Sequence, residues 1–229
     1  MRIEPFTVGS YIHVIKRGAR GMSIVKDDSD RWHFLRALFY MNDEYLDPNW
    51  FRNHGKSGPF YRPDSLPPRK PLVDILAYTL MPNHFHLLLR ETHKGGVTLF
   101  MKKLGQSMSQ HHNEKYKEKG SIFQGSYKSK TIDSDIYLRY VAIYIMVKNI
   151  FELYPKGGLE IAIQKFEDAW NCSEEYSFSS LADYSGKREH SPVLKKVLLG
   201  ELFSSTKDFK SFACDVIKSG KWKSSDFEG

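Results

Sequence analysis

Residues 80–90 read Leu-Met-Pro-Asn-His-Phe-His-Leu-Leu-Leu-Arg, and this run constrains the chain more than any other. A Pro-Asn turn opening a nearly continuous apolar stretch predicts a buried strand. Residues two apart on a strand point to the same face, so His84 and His86 present two imidazoles side by side while Phe85 faces the other way. Paired imidazoles are a natural start to a metal site; two polar residues on a half-exposed strand are the plainer reading of a bare His-x-His. The rest of the chain decides between them.

A chain of 229 residues holds one domain of ordinary size with an appendage, or two small domains. Its apolar content, 41%, supports a real core. The formal net charge of +7 suggests a polyanionic partner. Cys172 and Cys214 form neither a metal-binding spacing nor a disulfide framework, which fits a reducing, cytoplasmic setting. No apolar run reaches the ~18 residues a membrane span needs. The first ten residues lack a signal-peptide core, so no membrane partner is expected.

Residues 10–15 read as a first strand, running into the basic loop Lys16-Arg17-Gly18-Ala19-Arg20-Gly21. Solvated charge is the plain reading of that loop, phosphate contact the functional one. Asp27, Asp28 and Asp30 supply N-cap chemistry for a helix over 30–42, with Trp32, Leu35, Leu38 and Phe39 at core spacing. Residues 47–71 hold six of the ten prolines and predict a long irregular excursion, tacked down by Trp50, Phe51, Phe60 and Tyr61. A second strand over 73–79 turns into the His84/His86 strand. A helix over 97–118, ended by Gly120, and a fourth strand over 121–132 follow.

From Met101 to Lys130 seven lysines stand against two glutamates, Lys102, Lys103, Lys128 and Lys130 among them. Such a basic stripe is the footprint of a nucleic-acid binder. A largely buried helix over 135–153 comes next, capped by Asp133 or Ser134. The order strand, helix, strand, strand, helix, strand predicts an α+β, ferredoxin-like βαββαβ antiparallel sheet, with this helix added. Beyond residue 155 the expectation is a helical extension: a helix over 159–170, a loop over 177–186, and short helices near 193–202 and 207–219. The domains expected are therefore 1–154 and 155–229.

On the 135–153 helix, Tyr137, Tyr140, Tyr144 and Lys148 are spaced to share one face. Packing with hydroxyls at the rim is the ordinary role of such tyrosines. Two histidines, a basic stripe and a tyrosine together define another chemistry. In it, a divalent ion polarises a phosphate and a tyrosyl oxygen attacks it, leaving a 5′-phosphotyrosine and a free 3′-hydroxyl.

In these stretches the chain resembles the HUH-class single-tyrosine transposases, whose domain is called insertion sequence 200-like, and most of all their REP-associated branch. His13-Val14-Ile15-Lys16-Arg17-Gly18 resembles that family's first strand, residues 81–87 its metal motif, residues 122–129 its last strand, and Tyr137-Leu138 with Tyr144-Ile145 its nucleophile helix. The resemblance covers about residues 11–154 and, more weakly, 176–186. It implies a ferredoxin-like DNA transposase and endonuclease that cleaves and rejoins single-stranded DNA near hairpins, using Mg²⁺ or Mn²⁺. Tyr144 would be the nucleophile, with Tyr140 in reserve, and His84 and His86 the metal ligands. Lys16, Arg17 and Arg20, with Lys102, Lys103, Lys128 and Lys130, would hold the DNA. Monomer and homodimer both remain open.

One position departs from the family's pattern. The third ligand, Asn or Gln, is expected four residues after the nucleophile, where this chain has Lys148; asparagine follows at Asn149. On an ideal helix Asn149 lies about 140° round from Tyr144 and substitutes only if the helix is distorted. Lys148, a cation beside a dication, instead suits a phosphate or the phenolate. The alternative function is a domesticated, inactive relative that binds hairpin DNA. An unrelated metal hydrolase would need further ligands from His93, His111 and His112, which fall in a loop and on a polar helix.

Overall fold

The computed structural model describes residues 6–45, 60, 62, 64–188 and 191–223. β1 (Tyr11–Arg17), β2 (Val73–Leu80), β3 (His84–Glu91) and β4 (Lys128–Ile132) form one antiparallel sheet in the order β2-β3-β1-β4. With α1 (Asp28–Tyr40) after β1 and α2 (Gly96–Tyr116) after β3, this is the ferredoxin-like βαββαβ arrangement expected.

Alternation along the strands divides the side chains between two cores. Ile12, Val14, Phe85, Leu87 and Leu89 face α1 and α2. Ala77, Leu88 and Ile132 face a second helical layer, led by α3 (Asp135–Ile143). His13, Ile15 and Arg17 of β1 lie on this second face with His84 and His86, because Ile15 pairs with His86 and Arg17 with His84. Lys130 and Lys128 join them, opposite His13 and Ile15.

Local chemistry explains most boundaries. Asp27 caps α1, accepting from the Asp30 amide in a capping box, so the helix starts two residues earlier than expected. Ser134 caps α3, accepting from Tyr137 N. Lys16 and Arg17 belong to β1 and not to the loop after it. In that loop Gly21 takes a left-handed φ of 73°, whereas Gly18 is needed for space: a Cβ there would lie 2.2 Å from the Met22 carbonyl.

Several expectations are corrected. The fourth strand is confined to Lys128–Ile132. The backbone of residues 121–127 meets the end of β1 and the loop after it through the Gly18–Phe123 bridge and single bonds such as Gln124 N to Arg17 O, and Gly125, at φ 139°, lies between that contact and β4. Lys117, at φ 56°, ends α2 in place of Gly120. Trp32 is 39% exposed and meets the Phe178 ring in a T-shaped contact at 5.5 Å. Of the excursion's anchors, Phe60 packs on Phe39; Trp50, Phe51 and Tyr61 lie outside the described residues.

Past residue 154 the chain is helical: α4 (Gly158–Gln164), α5 (Phe166–Glu174), α6 (Leu181–Tyr184), α7 (Lys196–Gly200) and α8 (Thr206–Ser219). The helix expected over 159–170 is split at Lys165, and the 177–186 loop contains a helical turn. Phe166, Trp170 and Phe209 share a core with Val141 and Phe151. No described helix is long and apolar enough to cross a membrane.

Candidate active site

The second sheet face gathers His13, His84, His86 and Tyr144. Rings of His84 and His86 stand 5.0 Å apart between centroids, and Tyr144 meets His86 edge-on at 5.5 Å. Lys148 Nζ lies 4.7 Å from the Tyr144 ring centre and pairs with Glu152 Oε1 at 2.6 Å. Its other side faces the Trp222 ring at 5.4 Å, a contribution from the C-terminal extension. Tyr144 is 2% exposed. Tyr140 turns away, stacking on Phe212.

The helix carrying Tyr144 is distorted at that residue. Tyr144–Lys148 is a π-turn between α3 and the last helical turn, Asn149–Phe151. Asn149 N bonds to the carbonyl of Tyr144, five residues back. A π-turn inserts one residue into the helical repeat, so position 149 comes round toward the direction that 148 has on a regular helix. Asn149 is buried, and its side-chain Nδ2 has no hydrogen-bond partner.

His84 and His86 are each held through Nδ1. Asn83 Oδ1, which can only accept, takes a hydrogen bond from His84 Nδ1 at 2.6 Å. That leaves the lone pair of His84 on Nε2. His86 Nδ1 lies 2.9 Å from His13 Nε2, and His86 Nε2 is buried without a partner. Burial, then the charges of Arg17 and Lys148, push the His84 pKa down to about 4. Burial holds His86 well below the usual imidazole range, helped by His13, His84, Lys148 and Arg17. Burial, with Lys130, pushes His13 down to about 4. All three rings are neutral near pH 7, the form in which an imidazole can ligate a metal.

The basic residues divide between the two faces. Arg17, Lys128 and Lys130 lie on the histidine face at the end and edge of the sheet, with Arg20 in the turn beside Asn83. Lys16 points to the opposite face, bonding Gly125 O at 2.8 Å over the Phe123 ring. Lys103 bonds the Asp43 carbonyl at 2.8 Å, also behind the sheet; Lys102 is exposed on the same helix. His111 and His112 bond Asp30 and Glu118 on that far side. Among the described residues, no group of three or more His, Cys, Asp or Glu side chains gathers as a metal site.

Residues 69–148, which include both histidines, Tyr144 and Lys148, match the family model described as transposase, IS200-like. Over that stretch the chain is similar to IS200-like transposases. The segment ends at the π-turn and leaves out β1, with His13, and Asn149. A solved structure of a REP-associated tyrosine transposase bound to a REP hairpin is similar at a TM-score of 0.47 and 12% identity, covering 84% of this chain and 88% of that one. No curated protein matches the chain by sequence.

His13 and the π-turn escape sequence reading. His13 sits 73 residues from His86, and only the strand register joins them. The one signal available for the π-turn was the asparagine one place late.

Proposed function

We propose that this protein cleaves and rejoins single-stranded DNA near hairpins, with Tyr144 as the nucleophile and a 5′-phosphotyrosine intermediate. The observation that carries the reading is the convergence of Tyr144 on two neutral imidazoles, His84 and His86, within a transposase-family segment. Tyr144 Oη bonds to phosphorus while the bond from phosphorus to the 3′ oxygen breaks. The phenol gives up its proton and the leaving oxygen takes one up as the 3′-hydroxyl.

The donor set fits Mg²⁺ or Mn²⁺. His86 Nε2 is an orphaned buried nitrogen, and His84 has its lone pair on Nε2. Asn149, brought round by the π-turn, is the third member proposed, through its amide oxygen; its unpartnered Nδ2 is a donor and would not face the ion. A divalent ion held there would offset the charge developing on the phosphate. Lys148, half-neutralised by Glu152, is suited to hold the phosphate and favour the phenolate. Arg17, Arg20, Lys128 and Lys130 would take the DNA backbone leading into the site.

A second reading has its own support. The buried ammonium of Lys148 lies close enough to depress both histidines, and would oppose a cation there. On that reading the protein is an inactive relative that binds hairpin DNA. Labelled single-stranded DNA carrying a hairpin, incubated with Mn²⁺ or Mg²⁺, separates the two. A denaturation-resistant protein–DNA adduct that disappears in Tyr144→Phe is the expected result. Hairpin binding without any adduct would favour the inactive binder, and an adduct surviving in Tyr144→Phe would move the nucleophile to Tyr140 or beyond.

A further inference from the structure

We infer that His13 is a positioning residue: its Nε2 accepts a hydrogen bond from His86 Nδ1, fixing the tautomer that leaves the His86 Nε2 lone pair free for an incoming ligand. The inference rests on the metal-binding reading above, and it assigns a role to a residue outside the family-matched segment.

The geometry leaves few alternatives. His13 and His86 are both buried, stacked at 5.1 Å with planes 18° apart, and joined by one short nitrogen–nitrogen contact of 2.9 Å. Between two neutral rings that contact holds one proton, so one ring donates and the other accepts. If His13 donated, His86 would carry its own proton on Nε2, a buried N–H with no partner. An unmet donor in such a place is destabilising, because the N–H loses its water and gains no partner. If His86 donates, Nε2 instead carries an unused lone pair, the atom a metal needs.

The sheet explains why His13 can do this. Ile15 stands directly opposite His86, so His13, two residues before it, is the diagonal neighbour on the same face. Imidazoles reach across that diagonal, and β1 cannot slip without turning His13 to the other face. Asn83 does the equivalent service for His84 from within the turn. Two ligands are thus oriented by two unlike groups, one neighbouring in sequence and one 73 residues away. Such outer partners commonly alter metal affinity by about 10–100-fold when removed.

The test uses the whole protein in three forms: wild type, His13→Leu, and His13→Gln, whose amide oxygen can accept in place of Nε2. Two-bond ¹⁵N–¹H NMR of metal-free protein reports the His86 tautomer, and electron paramagnetic resonance of free Mn²⁺ reports affinity. Expected are the Nδ1–H tautomer of His86 in wild type, its loss in His13→Leu with affinity down about 10–100-fold, and recovery of both in His13→Gln. A wild-type His86 protonated on Nε2 overturns the inference without any variant having to fold. So does a tautomer unchanged in folded His13→Leu. Should wild type bind no Mn²⁺ while its tautomer still depends on His13, the metal reading fails and the role of His13 in orienting His86 stands.

Discussion

Asn149 donates its backbone N–H to the carbonyl of Tyr144, five residues back and not four. Thr79 supplies a cause. It stands on β2 opposite His86, and its hydroxyl donates to the carbonyl of Ile145, inside the wide turn, at 2.5 Å. A side chain inserted into the hydrogen-bond ladder is one of the few recognised causes of helix distortion. Thr79→Val keeps the shape and removes the donor. It is expected to cost about 1–3 kcal/mol in urea unfolding and to weaken Mn²⁺ binding as position 149 moves. Thr79→Ser keeps the hydroxyl and should retain the Mn²⁺ affinity. Equal losses of affinity in both variants would remove the hydroxyl from the account.

Lys148 is expected to separate metal affinity from chemistry. Its ammonium sits among the proposed ligands, so Lys148→Gln should tighten Mn²⁺ binding by about tenfold. That is well short of the ~8 kcal/mol that a unit charge and a dication give at 4 Å and an effective dielectric of 20, twice the ~4 kcal/mol of two unit charges, because Glu152 already offsets part of it. Adduct formation should slow in the same variant, since nothing then favours the phenolate. Titration calorimetry and the adduct assay read the two effects apart; a variant that loses metal affinity would count against a lysine that opposes the ion.

What could be read in advance follows from how local each signal is. His84, His86 and Tyr144 are legible because strand and helix periods bring them to one face within their own elements. The sheet order is legible from the alternation of elements. His13 is not, since its meaning depends on a register between β1 and β3 set by the whole sheet. The π-turn depends on a hydroxyl from β2 that no pattern within 135–153 reveals. Lys16 and Lys103 end behind the sheet for a related reason: charge is visible in the sequence, but the side of the sheet it ends on is not.

That division of charge is measurable. Arg17→Ala, Lys128→Ala and Lys130→Ala should each lower the magnitude of the log-affinity against log-salt slope for single-stranded DNA by about 0.7. Lys16→Met and Lys103→Met should leave the slope alone and instead lower stability, because their ammonium groups bond Gly125 and Asp43 carbonyls. Slopes that fall equally across all five variants would mean that DNA wraps both faces.

Stability should fall with acid, and His33 should account for a defined part of it. His33 is buried between α1 and α2, with Nε2 3.0 Å from Ser107 Oγ and its ring stacked on His111. Burial, then the charges of His111 and Arg36, push its pKa from 6.5 down to about 3. Between those values the unfolded chain binds a proton that the folded chain does not. Stability therefore rises with pH across the window, by about 1.4 kcal/mol per pH unit for this group, and the contribution is complete above about 6.5. Urea unfolding of His33→Gln between pH 4 and 6.5 should show a slope lower by about one proton than wild type. An unchanged slope would mean that His33 is already protonated in the fold.

The extension beyond residue 154 should prove inseparable from the sheet. β2 is an edge strand, and such an edge invites pairing with another chain unless it is covered. Here the tail covers it: Phe178 O accepts from Leu80 N, Ser180 N donates to Tyr78 O, Lys195 N to Ile75 O, and Tyr184 Oη to Leu76 O at 2.7 Å. Trp170 and Phe209, both fully buried, fill the same core as Val141 and Phe151. Removing the tail exposes both that apolar surface and the strand edge at once. A chain ending at Tyr154 is expected to aggregate, or to lose its near-ultraviolet circular dichroism while keeping helical signal. If it instead runs as a monomer in size-exclusion chromatography and melts cooperatively, the edge contacts are dispensable, and residues 1–154 fold alone.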